Sequence, residues 1–139
     1  MHPSENQEFH AGERLRRWNW SGHECEGDLR NAEPLLNAML AGVGNSGASV
    51  RRQTVENFLP HGVTLVLILS ESHFVVSTWP EFNFASIDIA LCNDSVNLEE
   101  LTGPLLSLLA ARREESGLNT TRMCSRGELL TQNLSLIHI

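Results

Sequence analysis

Between Leu69 and Glu81 the chain reads Leu-Ser-Glu-Ser-His-Phe-Val-Val-Ser-Thr-Trp-Pro-Glu, and this stretch holds the side chains best suited to chemistry. Ser70 and Ser72 flank Glu71, and His73 follows, so hydroxyls, a carboxylate and an imidazole share one tight corner. Trp79-Pro80-Glu81 comes a few residues later, and Cys92 lies beyond the next apolar run. A polar corner between two strands is a place where a rigid scaffold can hold a reactive group. Metal chemistry is not expected. Cys25, Cys92 and Cys124 are odd in number, far apart and without Cys-x-x-Cys pairing, which argues against structural zinc and against a disulfide framework.

The elements that must position this corner follow from hydrophobic period. Val63, Leu65, Leu67 and Leu69 alternate with Thr64, Val66, Ile68 and Ser70, which predicts a strand over 63–69 with Thr64 as a hydroxyl on the second face. After the corner, Phe74 and Val76 share one face, and His73, Val75 and Ser77 the other. A strand over 82–92 places Ala85, Ile87, Ile89 and Leu91 on an apolar face; Ser86, Asp88, Ala90 and Cys92 lie on the small or polar one. Upstream, Trp18 and Trp20 alternate in a first strand over 16–24 with one buried face. Apolar residues from Leu29 to Val43 recur at helical spacing, and the helix is expected to end within Gly42–Gly47. Residues 48–58 form a second strand, turned by Leu59-Pro60-His61-Gly62.

Leucines between Leu98 and Leu109 again recur at helical spacing, but Gly103-Pro104 interrupts them. The prediction is a short turn before Thr102, the main helix after it with Pro104 near its first turn, a stop at Ser116-Gly117, and a weak last strand over 118–124. The fold class is α+β: a two-layer sandwich of mostly antiparallel sheet with helices packed on one face.

At 139 residues the chain suits one domain, large enough to bury roughly two thirds of its unfolded surface. A net charge of -7, with no basic cluster beyond Arg14, Arg16 and Arg17, argues against a nucleic-acid partner. No apolar run reaches the ~18 residues of a membrane span, and the N-terminus has no apolar secretory core, so a cytoplasmic protein is expected. Residues 1–15 are expected to be a flexible extension, 16–127 the domain, and 128–139 a tail. The final six residues, Leu134 to Ile139, look like the translation of a sequencing-library adapter end, which would place the natural C-terminus beyond Asn133; an ordinary apolar tail is the alternative.

On Ser70-Glu71-Ser72-His73 and Thr78-Trp79-Pro80-Glu81, the chain resembles the bacterial S-adenosylmethionine decarboxylase proenzymes, which are pyruvoyl-dependent. The resemblance runs from about Arg16 to Gly127, through Phe58-Leu59-Pro60-His61-Gly62-Val63 and Phe82-Asn83-Phe84-Ala85-Ser86-Ile87-Asp88. It implies a zymogen that cuts itself between Glu71 and Ser72, Ser72 becoming the pyruvoyl cofactor, with no metal. The Ser72 hydroxyl would attack the Glu71 carbonyl and turn the amide into an ester. A base would then take the Cα proton and expel Glu71 as a carboxylate, leaving dehydroalanine that hydrolyses to pyruvoyl. The pyruvoyl ketone would form a Schiff base with the substrate amine and accept the electrons released with carbon dioxide.

The resemblance also implies individual roles. Cys92 matches the acid that returns a proton to the substrate carbon, although a small buried cysteine is the general alternative. Cys25 and Cys124 are expected to be structural. Thr64 matches a serine that holds the processing intermediate. Glu81 matches the glutamate that binds the ribose hydroxyls, Phe58 is the candidate ring against adenine or else plain core, and Trp79 belongs to the substrate wall. The family's tyrosines are Phe82 and Phe84 here, the glycine between them is Asn83, and the polar residue expected on the first strand is displaced to Ser21. Ser77 stands where the family carries a histidine used in processing; serine is not a base near neutral pH unaided. His73, on the same strand face, and His61, in the nearby turn, are the imidazoles available to replace it. Three functions follow: an S-adenosylmethionine decarboxylase of spermidine and polyamine biosynthesis, working as a homodimer; a pyruvoyl-dependent ornithine or arginine decarboxylase; or an unprocessed, inactive homologue acting as a partner protein.

Overall fold

The computed structural model describes residues 14–123. In chain order these form β1 (Arg14–His23), α1 (Ala32–Ser46), β2 (Val50–Asn57), β3 (Val63–Leu69), β4 (Ser72–Trp79), a 3-10 turn (Pro80–Phe82), β5 (Phe84–Leu91), α2 (Leu98–Leu109) and β6 (Arg113–Arg122). The six strands make one sheet in the order β2-β3-β4-β5-β1-β6, and every neighbouring pair is antiparallel. Strands β2 to β5 are sequential neighbours. β1 then inserts between β5 and β6, so the N-terminal strand is central rather than an edge.

Alternation builds the layers. Val63, Leu65, Leu67, Leu69, Phe74, Val76, Ala85, Ile87, Ile89 and Leu91 are all buried, and they share a core with Leu35 and Met39 of α1 and Leu101, Leu105 and Leu109 of α2. Trp20 is buried in that core and Trp18 packs against it, as their spacing predicts. The opposite face of the sheet is polar or partly exposed, and no described helix covers it. This is the α+β sandwich expected from the sequence.

The first helix ends inside the expected stretch, and the second departs from expectation. Helix α1 runs through Gly42 and Gly44 to Ser46 and stops at Gly47, which takes a left-handed φ of 91°. Gly42 is a contact point and not a terminator, because a Cβ there would collide with the Leu101 carbonyl of α2. Helix α2 is one continuous element over Leu98–Leu109, with Asn97 accepting the Glu100 N–H at 2.9 Å and Gly103-Pro104 absorbed inside it. An interior proline costs about 3 kcal/mol, whereas fully burying a leucine is worth about 1.5–3 kcal/mol. Leu101, Leu105 and Leu109 are all fully buried, so packing overrides the break. The helix stops at Ala110, whose φ of 49° is left-handed, and Ser116-Gly117 lies inside β6.

Strand β6 is longer than predicted because β1 templates it from Arg14↔Arg122 to His23↔Arg113. That pairing also draws Arg14 and Leu15 into β1, inside the stretch expected to be loose. The remainder of that extension and the tail, with the suspected adapter segment, lie outside the described residues.

Candidate functional site

The corner between β3 and β4 is a two-residue link. Leu69 pairs with Ser72, leaving only Ser70 and Glu71 to reverse the chain. Glu71 takes a φ of 55°, a left-handed conformation that costs a residue with a Cβ about 1 kcal/mol. Ser72 is half-buried at the start of β4 and has the parity of Phe74, on the helix side of the sheet. Its Oγ accepts the backbone N–H of Cys92 at 3.2 Å. Beside it lies a cavity of about 130 Å³, walled by Leu69, Ser70 and Ser72 of the hairpin, by Leu91, Asn93 and Val96 after β5, and by residues 47–49 beyond α1.

Cys92 is the first residue past β5 and is half-buried. Burial pushes its thiol above the ordinary range, and the Glu71 carboxylate pushes it further, since a nearby negative charge disfavours the thiolate. The group therefore stays protonated at neutral pH, the state a proton donor needs. Cys25 is buried, directs its thiol at the Gly22 carbonyl at 3.6 Å, and is raised by desolvation, as a structural cysteine is. Cys124 lies outside the described residues.

Thr64 and Ser77 are brought together, but elsewhere. They are register partners in the β3–β4 pair, and their hydroxyls lie 2.9 Å apart on the open face of the sheet. Ser86 stands opposite Ser77, and Ser21 opposite Ser86, so hydroxyl residues line up across four strands. Ser72 and Ser77 lie near opposite ends of β4, roughly 16 Å apart along the strand, with opposite side-chain parity. Within one chain, then, Thr64 and Ser77 do not reach the Glu71-Ser72 bond.

Neither histidine replaces the missing imidazole within the chain. His73 pairs with Ile68 and Ala90, roughly 13 Å along the strand from Ser77. His61 is engaged with Arg30, Nδ1 to Nη1 at 2.8 Å.

The far end of β4 carries an aromatic wall. Trp79 and Phe84 stack at 5.4 Å and His23 and Phe84 at 5.1 Å, both tilted, and with Phe82 they line an open pocket of about 380 Å³. Glu81 is exposed on the adjoining 3-10 turn. Phe58 is 50% exposed, which removes the plain-core reading of it. Its loop lies against β4, because a Cβ on Gly62 would press on the Thr78 carbonyl.

Two features escaped the sequence reading. Thr78, only 4% exposed, accepts the Val63 N–H at 3.0 Å and donates to the Leu29 carbonyl at 2.8 Å, tying the motif to the loop before α1. His23 joins the aromatic pocket from β1; continuing the tryptophan alternation to residue 23 places it on the open face and was the available signal. Among the described residues no group of three His, Cys, Asp or Glu could hold a metal ion. No described helix is long and apolar enough to cross a membrane.

A family model described as S-adenosylmethionine decarboxylase matches residues 16–119. The S-adenosylmethionine decarboxylase proenzyme of Thermotoga maritima is 35% identical over 92 residues, covering 66% of this chain and 71% of that one. The proenzyme of Acidithiobacillus ferrooxidans is 29% identical over 108 residues, covering 77% of each chain. In fold, the chain is similar to the crystal structure of the adenosylmethionine decarboxylase from Aquifex aeolicus, with a TM-score of 0.70 at 19% identity over 77% of this chain and 89% of that one.

Proposed function

The chain belongs to the S-adenosylmethionine decarboxylase family, and from that premise we propose that it is a self-cleaving, pyruvoyl-dependent carboxy-lyase acting on S-adenosylmethionine. The observation that carries this reading is the hairpin itself: a left-handed Glu71 precedes Ser72, whose Oγ takes the Cys92 N–H at 3.2 Å. The site fits a pyruvoyl group formed from Ser72. The Cys92 N–H already addresses an oxygen at that position, and a protonated thiol belongs to the same residue. When formed, the pyruvoyl group supplies an electron sink for the electrons released as carbon dioxide leaves.

The chain's own residues do the rest. The Ser72 Oγ forms a bond to the Glu71 carbonyl carbon as the C–N bond breaks and the freed nitrogen takes a proton. Loss of the Ser72 Cα proton then expels the Glu71 carboxylate. Cys92 delivers its proton to the substrate carbon that lost carbon dioxide. Glu81 accepts hydrogen bonds from the ribose hydroxyls, while Trp79 and Phe58 present ring faces to the substrate. The wall formed by His23, Trp79, Phe82 and Phe84 is aromatic rather than acidic, which supports a nucleoside substrate over ornithine or arginine. The decarboxylated product would serve spermidine synthesis.

Separation of Thr64 and Ser77 from Ser72 supports a homodimer with active sites near its interface. Only a second copy could bring the open-face pair of one chain to the hairpin of another. A second reading, an unprocessed partner protein, is favoured by Ser77 alone: it binds Thr64 and has no imidazole hydrogen-bonded to it among the described residues. Mass spectrometry of the purified protein separates the two. Two fragments parted between Glu71 and Ser72, the C-terminal one starting with pyruvoyl, are expected; a chain that stays intact after prolonged incubation establishes the second reading.

A further inference from the structure

Cys92 is followed by a short strap, Asn93 to Val96, that walls the cavity beside Ser72. Within it the Val96 N–H reaches the Asn93 carbonyl at 3.3 Å, and the Ser95 N–H and Oγ both donate to Oδ1 of Asn93, at 2.9 and 2.8 Å. Its far end is tied by the Asn97 N–H to the Ser46 carbonyl at 3.2 Å. The near end, next to the thiol, is held from β1. Arg16 pairs with Leu91 in the sheet and sends one guanidinium nitrogen, Nη2, to two strap carbonyls, Asn93 at 2.9 Å and Val96 at 2.8 Å.

Arg16 is 21% exposed, and its Nε is buried with no hydrogen-bond partner among the described residues. Asp94, at 3.9 Å from that Nε, is too far for a hydrogen bond. A partly desolvated cation with one donor unused is costly where only folding is served, and what this one grips is the segment that carries Cys92 to Ser72.

We propose that Arg16 is a positioning residue for the decarboxylation site: by clamping the carbonyls of Asn93 and Val96 it fixes the strap, and through it the Cys92 thiol and the Cys92 N–H directed at Ser72. The inference rests on the proposed role of Cys92 as proton donor, but its test does not require turnover. Lysine can offer an ammonium from a shorter stem and restores part of the clamp; glutamine offers one neutral amide and restores less; alanine restores none.

The full chain is purified as wild type, Arg16→Lys, Arg16→Gln and Arg16→Ala. Alkylation by iodoacetamide is followed peptide by peptide across pH, with buried Cys25 as the internal reference. Loosening the strap admits water to the thiol, so Cys92 alkylation at pH 8 rises roughly tenfold in Arg16→Ala, and its pH midpoint moves down toward the ordinary thiol value of about 8.5. Arg16→Gln and Arg16→Lys fall between alanine and wild type, lysine nearer wild type, and Cys25 stays protected in all. Self-cleavage slows in the same order. An unchanged Cys92 midpoint overturns the proposal. So does Cys25 rising in step with Cys92, or failure of both Arg16→Lys and Arg16→Gln to fold, since either makes Arg16 a residue of the fold at large. A wild-type chain that does not cleave removes the proposed function while the alkylation series still decides the role of Arg16.

Discussion

At its N-terminal end β4 carries Ser72 on the helix side of the sheet, enclosed by the hairpin and the strap after β5, and touched by Cys92. At its C-terminal end the same strand presents Ser77 and Trp79 on the open face, where Ser77 meets the Thr64 hydroxyl and Trp79 the ring of Phe84. The first end has the Ser72 hydroxyl, the adjacent Glu71-Ser72 peptide bond and a protonated thiol within one chain, the parts that the proposed cleavage and protonation would use. The second has an aromatic wall that includes the His23 ring, and a hydroxyl pair, Thr64 and Ser77, that no imidazole among the described residues hydrogen-bonds. Under the proposed function a single strand would supply two parts of a reaction that it cannot itself bring together, because residues close in sequence lie on opposite faces and at opposite ends of β4.

The sharpest way to break this contrast is at the enclosed end. Cys92→Ala should lower decarboxylation by roughly 10²–10⁴-fold, the usual contribution of a positioned acid, while leaving cleavage at Glu71-Ser72 intact by mass. Loss of cleavage along with turnover would show that the thiol is not separable from processing. At the open end, Ser77→His places an imidazole where the resemblance implies one. Cleavage should quicken by roughly 100-fold, about 2.7 kcal/mol in barrier; no change in a cleavage time course would detach the open-face pair from processing.

At the C-terminal end, but buried on the helix side of the sheet, stands Thr78, whose hydroxyl satisfies both the Val63 N–H and the Leu29 carbonyl. Thr78→Val leaves two buried groups unpaired and should cost about 2–4 kcal/mol in urea unfolding, with little effect if water replaces the hydroxyl. The smallest effect concerns charge. Because burial and the Glu71 carboxylate both raise the Cys92 thiol, its protonated form persists above the ordinary thiol range. Turnover that needs this form is retained at neutral pH and falls as pH rises through the raised value. Glu71→Gln removes one of the two causes, so Cys92 alkylation should begin at lower pH than in wild type; a midpoint that stays put would leave burial as the sole cause.

Much of the central sheet was legible because β3, β4 and β5 are sequential hairpin strands with one apolar face each. Period 2 gives the face, and short links give the neighbour. Helix ends were less legible, since the meaning of a glycine or proline depends on what packs against it. Gly42 reads as a terminator until Leu101 is seen above it, and Pro104 reads as a break until three buried leucines hold its helix together. The hydroxyl of Thr78 reads as part of a reactive motif until its partners Val63 and Leu29 are known.

By itself the sequence determined where the candidate residues fall: the Glu71-Ser72 corner, Cys92 after the next strand, and Ser77 on the face of β4 opposite Phe74 and Val76. Those are local properties, set by residue type, turn length and the alternation of side chains. Only the tertiary structure decided that β1 enters between β5 and β6, which carries Arg16 to the strap after Cys92 and His23 to the rings of Trp79 and Phe84. Sheet order depends on how buried surfaces from distant segments pack together, and hydrophobic period along the chain does not encode it.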